Sequence, residues 1–523
     1  FIQPEKVLTL PLDIHLNEDY HYAYAGKDKV DGYDCYVVTF QPPAGAGARY
    51  EGKVWIEMRT FARVRLSIVE TGMEPPVTSN DERDHFSPVT GPDGSTYWLL
   101  TSLEGQQIFT TAGRNLVVLR EIQFRDFRIN DPGFEQARQQ AYDAPDPLLK
   151  DTDKGLRYMT RAPDGSRTAE TDAARRTLFV VGGIYDQPGL DYPVPLAGFN
   201  YFNYNVKDSK VQMNAFLAGA FNTITVTHPK LFGKVDGTIE ALLLAFTPTD
   251  HYYVAGEKRD PSNVDERSQN LAAWLGVPIG SFFRVRGGYD LEYQHYDRDQ
   301  ETDTFTVPST TAVNSFNLQG EFNRSGWTVT ASEYWSARAH WDAWGDETPA
   351  GAATLAAVPN AVCDTPGSCL AEFDAGQSHF NTFQGTIAKQ VFLPAFQKLN
   401  FEADWLDGSN LDRFSKPSLQ YFGARVRGFS GAGVRFDHGG IARAEYAFNL
   451  GEVIRFQASI DHARVQDKAT SADWADFTGV GISGQTMGPW RTLIGFDIGV
   501  AVQSDYVGLK GDTEGAVYFL KLF

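Results

Sequence analysis

Several stretches of the chain carry residue types at spacings that could support chemistry. Gly479-Val480-Gly481-Ile482-Ser483-Gly484 has the GxGxxG spacing of a phosphate-cradling turn. Such a turn must lead from a strand into a helix, whose N-terminus meets the phosphates. Here the motif lies in a period-two run and continues into Thr486-Met487-Gly488-Pro489, so it predicts a strand. The acidic run Asp297-Arg298-Asp299-Gln300-Glu301-Thr302-Asp303 offers oxygens to a hard cation, but a solvated loop is the simpler reading. The ten histidines show no HExxH spacing and no GxSxG elbow is present. His295, His340 and His462 fall on strand faces. Cys363 and Cys369 flank Asp364-Thr365-Pro366-Gly367-Ser368, a turn-rich spacer that closes a small loop if the two form a disulfide in an oxidising compartment. Two free thiols are the alternative, and two cysteines alone make a poor metal site. Cys35, in an alternating run, reads as a buried strand residue. Asn323-Arg324-Ser325 fits the glycosylation pattern but lies in a tight turn. No catalytic residue, cofactor or metal site is expected, and the chain does not read as an enzyme.

Composition points to a different class of protein. The chain has 523 residues, 42% of them hydrophobic and 13% aromatic, with 49 glycines and a mean hydropathy of -0.33. Apolar stretches such as Ala241 to Phe246 fall far short of the roughly 18 residues a membrane-spanning helix needs. A membrane barrel fits better, because its polar lumen offsets its apolar exterior. A net charge of -19 and a pI near 5.0 argue against nucleic acid as a partner. No leader peptide is legible before Phe1, so the chain reads as a mature or cut form whose export must be inferred from its body.

The elements confirm two textures. Between residues 20 and 130, runs such as Tyr33–Phe40, Gly52–Glu57, Arg63–Glu70, Thr96–Ser102 and Leu116–Ile129 alternate apolar and polar residues, predicting an antiparallel sheet domain over 1–130. Residues 131–174, rich in Asp, Ala, Pro and Gln, read as a linker with a short helix from Gly133 to Tyr142. From 175 to 523, segments of about ten residues keep strict period two, the signature of an outer-membrane barrel. Phe283, Val285, Tyr289, Leu291 and Tyr293 oppose Arg284, Arg286, Asp290, Glu292 and Gln294, one face for lipid and the other for water. Alternating short turns and long loops give sixteen strands, from 175–185 to 514–523, with 209–226 and 251–258 each taken as one strand. The fold expected is thus all-β: a sixteen-stranded antiparallel transmembrane barrel preceded by a periplasmic half-barrel sheet.

The long loop 409–433 holds Val426-Arg427-Gly428-Phe429, preceded by Asp412-Arg413-Phe414 and Tyr421-Phe422-Gly423. In this the chain resembles the outer-membrane assembly superfamily that includes BamA, TamA and FhaC. There a VRGF or VRGY tetrad tips the sixth external loop, which folds into the lumen between the eleventh and twelfth strands. The resemblance implies that the Arg427 guanidinium pairs with Asp461 on the thirteenth strand, and that Glu445 is a second lumen acid. A carboxylate in fork geometry suits a partly desolvated guanidinium. The resemblance also implies a seam between first and last strands, here Phe179 and Val181 against Phe519 and Phe523, with a short pairing that opens for protein insertion. Departures are Phe422-Gly423-Ala424 where the superfamily has a Gly-Gly pair, His462-Ala463 where it has a glycine, and no legible POTRA repeats.

Residues 18 to 130 resemble the LolA and RseB lipoprotein-handling fold, through Gly52-Lys53-Val54-Trp55-Ile56-Glu57 and Thr60-Phe61-Ala62-Arg63-Val64-Arg65. The resemblance implies that Trp55, Ile56, Phe61 and Val64 line a site for acyl chains; plain core is the competing reading. The functional expectation is a barrel that takes part in assembly, insertion or translocation of proteins or lipoproteins at the outer membrane. The alternative is a non-catalytic channel or scaffold with a periplasmic binding domain. Expected partners are outer-membrane lipids and lipopolysaccharide, and periplasmic or outer-membrane protein subunits or lipoproteins.

Overall fold

A computed structural model describes residues 10–12, 14, 16–43, 49–73, 77–111, 113–144, 148–152, 155–162, 164–169, 176–299, 305–342, 344–346, 362–365, 368–370, 378–395, 397–419, 426–450, 454–468, 473–488 and 492–522. It comprises two compact units, one built chiefly from residues up to Arg175 and one from Arg176 onward.

The first unit carries a seven-stranded antiparallel meander in sequence order: His21–Val30, Tyr33–Gln41, Arg49–Glu57, Arg63–Thr71, Val77–Thr90, Thr96–Thr111 and Arg114–Gln123. The first and fifth of these lack the apolar alternation used to find the others. His21–Val30 is an edge strand exposed along most of its length, and Val77–Thr90 buries polar residues, Ser79, Asn80, Glu82 and Asp84. One face is closed by Tyr20, Phe40, Val54, Leu66, Ile68 and Phe86, over which Leu10 and Ile14 pack. Residues 131–174 hold more than a short helix. Beside the helix Phe134–Asp143 lies a three-stranded sheet of Leu148–Thr152, Gly155–Arg161 and Arg167–Ala169.

The second unit is a closed antiparallel barrel. Its strands 1 to 8 are Arg176–Asp186, Val194–Asn203, Gln212–Gly219, Phe221–Phe232, Val235–Leu244, Val264–Ile279, Phe283–Arg298 and Thr311–Arg324. Strands 9 to 16 are Trp327–Arg338, His379–Leu393, Gln397–Ser409, His438–Leu450, Ile454–Gln466, Trp474–Gly488, Thr492–Ser504 and Thr513–Leu522. The two-residue piece Thr249–Asp250 adds to strand 6. The number sixteen agrees with the sequence reading, but two of its strands were misplaced. The expected strand 209–226 is broken by a turn at Gly219, whose φ of +74° only glycine adopts freely, and 251–258 is a loop carrying a two-rung hairpin. These departures cancel in the count.

Outward positions carry Ile239, Leu271, Leu275, Phe316, Leu318, Trp335, Ile387, Phe401, Ile460 and Ile482, all largely exposed. In water such a surface would be an aggregation hazard; in a bilayer it is the required lipid face. Closure leaves no unpaired sheet edge in hydrocarbon. The barrel is therefore an outer-membrane β-barrel. One end bears the short connections 233–234, 280–282, 325–326 and 394–396, the periplasmic end by the usual rule; the other bears 245–263, 339–378 and 410–437.

Candidate functional site

In the connection from strand 11 to strand 12, the described residues 411–419 and 426–437 are buried or half-buried. Charged side chains at its base fix both of its limbs to the barrel. On the outgoing limb, buried Arg413 donates Nε to Asp250 Oδ2 at 2.9 Å, Nη1 to the Ser262 carbonyl at 2.7 Å and Nη2 to the Asp250 carbonyl at 2.8 Å. Beside it Asp412 receives a bidentate pair from Arg338 at 2.9 and 3.1 Å. Lys416 donates to Asp467 at 2.7 Å. On the returning limb Arg435 donates to Asp250 at 2.8 Å and to Glu266 at 2.7 Å. Charges so deeply buried are tolerated only when paired and hydrogen-bonded, and here acid and base come from segments far apart in sequence. Phe414 adds an aromatic wedge among Tyr296, Phe305, Trp341 and Trp344.

The tetrad occupies the apex. Val426 and Phe429 are wholly buried, and Phe429 meets the Phe477 ring edge-on at 5.4 Å. Arg427 lies directly on strand 14, where a Cβ at Gly479 would stand 1.9 Å from the Arg427 carbonyl oxygen. At Gly481 a Cβ would meet Arg427 Cδ at 2.9 Å. The GxGxxG string is therefore a strand whose missing side chains admit the loop, not a nucleotide turn. Gly428 has φ +81°, and a Cβ there would reach Ala501 N at 2.1 Å, so both backbone conformation and space call for glycine.

The expected arginine–aspartate pairing is realised in an altered form. The Arg427 guanidinium pairs with Asp497 on strand 15, which the sequence reading did not single out. Asp461, fully buried on strand 13, instead accepts the Arg427 backbone N–H at 2.9 Å and Arg443 Nε at 2.7 Å. Arg443 from strand 12 thus takes the role assigned to the tetrad arginine, because its register position faces Asp461 directly. Glu445 accepts from Asn400 Nδ2 at 3.2 Å and makes no hydrogen bond to the tetrad. Further along the loop, the Ser430 N–H donates to Glu514 of strand 16 at 3.0 Å. Gly431 then lies so close to the chain after strand 1 that a Cβ would stand 1.8 Å from the Pro188 carbonyl oxygen. Five residues of loop, 427 to 431, thereby touch strands 13, 14, 15 and 16 and the chain leaving strand 1. Asp497, Arg443, Glu514, Gly479 and Gly481 were missed as site residues, although the inward phase of Asp497 and Glu514 was legible from alternation.

At the seam, strand 1 pairs with strand 16 over eight positions, from Phe179 with Leu522 to Asp186 with Gly515. That is fewer than the nine to sixteen positions most neighbouring strands share, although strands 2 and 3 and strands 3 and 4 share only six. Val181 is buried opposite Leu520, and Phe519 covers Gly182, where a Cβ would meet the ring at 2.2 Å. Phe523 lies outside the described residues. So do the Cys363 and Cys369 side chains, although their backbones face each other in the hairpin Val362–Thr365 and Ser368–Leu370.

In the first unit the four proposed acyl-site residues do not converge. Val64 is fully buried with Val30 and Cys35. Trp55 packs against that same cluster and donates Nε1 to Asp28 at 3.0 Å, whereas Ile56 packs on the Phe40 side of the sheet. Phe61 is 71% exposed in a turn with φ +58°. Glu57 shapes that turn by accepting the N–H and hydroxyl of Thr60, both at 2.7 Å, which holds its carboxyl at about 2.

No protein-family profile matches the sequence, and no curated protein matches it. Among solved structures, CdiB from Escherichia coli shares 13% identity, covering 75% of this chain and 70% of that one, with a TM-score of 0.46. CdiB from Acinetobacter baumannii shares 11% identity over 72% of this chain, which spans 65% of its length, with a TM-score of 0.43. BamA from Haemophilus ducreyi lacking POTRA domains 1-3 shares 9% identity over 84% of this chain and 90% of that one, with a TM-score of 0.42.

Proposed function

We propose that the chain takes part in assembly, insertion or translocation of proteins or lipoproteins at the outer membrane, as a barrel of the assembly superfamily. The observation that supports this reading is the path of residues 427–431, which brackets the junction of strands 16 and 1 from within. A loop that only narrowed a pore would have no need to touch four successive strands and cross that junction. Here it acts as an internal staple, and its release frees the two strands to part and offer edges to an incoming strand. On this reading the unit that precedes strand 1 stands in the periplasm and receives cargo there.

Depletion of the protein, followed by quantitation of the outer-membrane proteome, tests the proposal. A broad fall in barrel proteins or lipoproteins is expected. Complementation with an Ile184→Cys/Val517→Cys variant, whose positions are paired across the seam, should fail under oxidising conditions and succeed when reduced. An unchanged proteome, together with large stable currents in planar bilayers, would refute the proposal and favour a passive channel.

A further inference from the structure

The lipid face of strands 10 to 13 is not smooth. A groove of about 630 Å³ crosses it, lined by Ile387, Phe401, Ala403, Ala442, Ala444 and Ile460. It follows two adjacent rows of cross-strand neighbours: Ile387, Ala403 and Ala442, which pairs with His462, and Lys389, Phe401, Ala444 and Ile460. Strand 12 presents only alanines outward at this level, so the wall is recessed between larger side chains on either side. The volume lies in the ~300–1,000 Å³ range of ligand clefts. The groove ends at His462 in one direction and at Trp327 and Lys389 in the other.

That second end gives the groove a polarity. Lys389 stands at the short-turn rim, where its ammonium donates to the Ser325 carbonyl at 2.6 Å and lies 5.1 Å from the centre of the Trp327 ring. An ammonium has three donors, and among the described residues no carboxylate pairs with this one. A cation beside a tryptophan at the rim marks the level of lipid headgroups. An apolar trough continuous with an unneutralised cation fits an anionic headgroup with its hydrocarbon tail.

We propose that this groove is a binding site for a single phospholipid of the periplasmic leaflet, its phosphate on Lys389 and one acyl chain along Ala403, Ala442 and Ala444. Lipid A belongs to the opposite leaflet, whose headgroups lie at the far rim from Lys389. The proposal rests only on the barrel's residence in the membrane, and so stands or falls separately from the assembly role.

The test uses the full chain, extracted in mild detergent and incubated with phosphatidylglycerol or phosphatidylethanolamine bearing a diazirine near the end of one acyl chain. Cross-links should concentrate on strands 11 to 13, and native mass spectrometry should show one retained phospholipid. Lys389→Gln should lower retention about fivefold, the effect of one cation near a lipid headgroup. Ala442→Leu/Ala444→Leu should abolish retention while the barrel keeps its compact gel mobility. Should that variant fail to fold, Lys389→Gln decides, since it alters only a rim side chain. Label spread evenly around the barrel, retention unchanged in folded Lys389→Gln, preferential labelling by lipid A, or a protein found in the groove would each overturn the proposal.

Discussion

Replacing Asp461 by alanine removes the acceptor on which the loop apex and strand 12 both depend. Its carboxylate is fully buried and receives the Arg427 N–H at 2.9 Å and Arg443 Nε at 2.7 Å. Hydrogen bonds to a charged group contribute about 1.5–3 kcal/mol each. The substitution also leaves the Arg443 guanidinium without its nearest counter-charge, and breaking such a buried pair costs on the order of 3–5 kcal/mol. Glu402, 3.6 Å from Arg443, recovers a small part of this. The expected result is a barrel that still closes but no longer holds its loop. Two assays read this directly: the temperature at which the compact form converts to the unfolded band on gels, and trypsin cleavage after Arg427. Asp461→Ala should lower that temperature and expose Arg427 to the protease, and Asp461→Asn, which keeps one acceptor oxygen, should fall between. Wild-type heat resistance with an uncut loop would show that Asp461 does not hold the apex, and the staple would have to rest elsewhere.

Other substitutions probe the same seat and the first unit. Gly479→Ala places a methyl group against the Arg427 carbonyl and should unseat the loop, whereas Gly287→Ala, with its nearest neighbour at 3.6 Å, should leave gel mobility unchanged. Arg413→Met removes three hydrogen bonds and should cost on the order of 3–5 kcal/mol in resistance to heat or denaturant. In the first unit, burial pushes the Asp84 carboxyl from 3.8 up to about 7, and burial beside Asp84 raises Glu82 well above the usual carboxylate range. The folded sheet therefore keeps protons that the unfolded chain releases near pH 4. Stability is greatest below that pH and is lost as pH rises towards 7. Hydrogen exchange along Val77–Thr90 in the full chain should quicken from pH 5 to pH 8, after correction for intrinsic rates, and Glu82→Gln/Asp84→Asn should remove that dependence.

The barrel was legible because lipid and lumen impose period two on its strands, as Phe283 to Gln294 shows within strand 7. It failed where burial did not follow that rule. The turn at Gly219 has alanines on both sides and no polar turn residue, so two strands merged into one reading. Tyr252, Tyr253 and Val254 look like a strand because they are buried, yet they pack under a loop. In the first unit Val77–Thr90 hides Glu82 and Asp84 in its interior, an inversion that alternation of apolar residues cannot reveal. The tetrad was legible as a string, but its partner was not. Asp461 and Asp497 both face inward on neighbouring parts of the wall, and the path of the loop alone decides which of them meets the guanidinium.

The ties of the loop join residues distant along the chain: Arg413 and Asp250 are 163 positions apart, and Ser430 and Glu514 are 84 apart. Contacts of such high order form late, because the intervening chain must first be ordered. Glu514 belongs to the last strand, so the apex acquires its full set of neighbours only when the final hairpin is in place. Seating of the loop is thus coupled to completion of the wall, and a protease that cuts at Arg427 becomes a clock for the last step of folding.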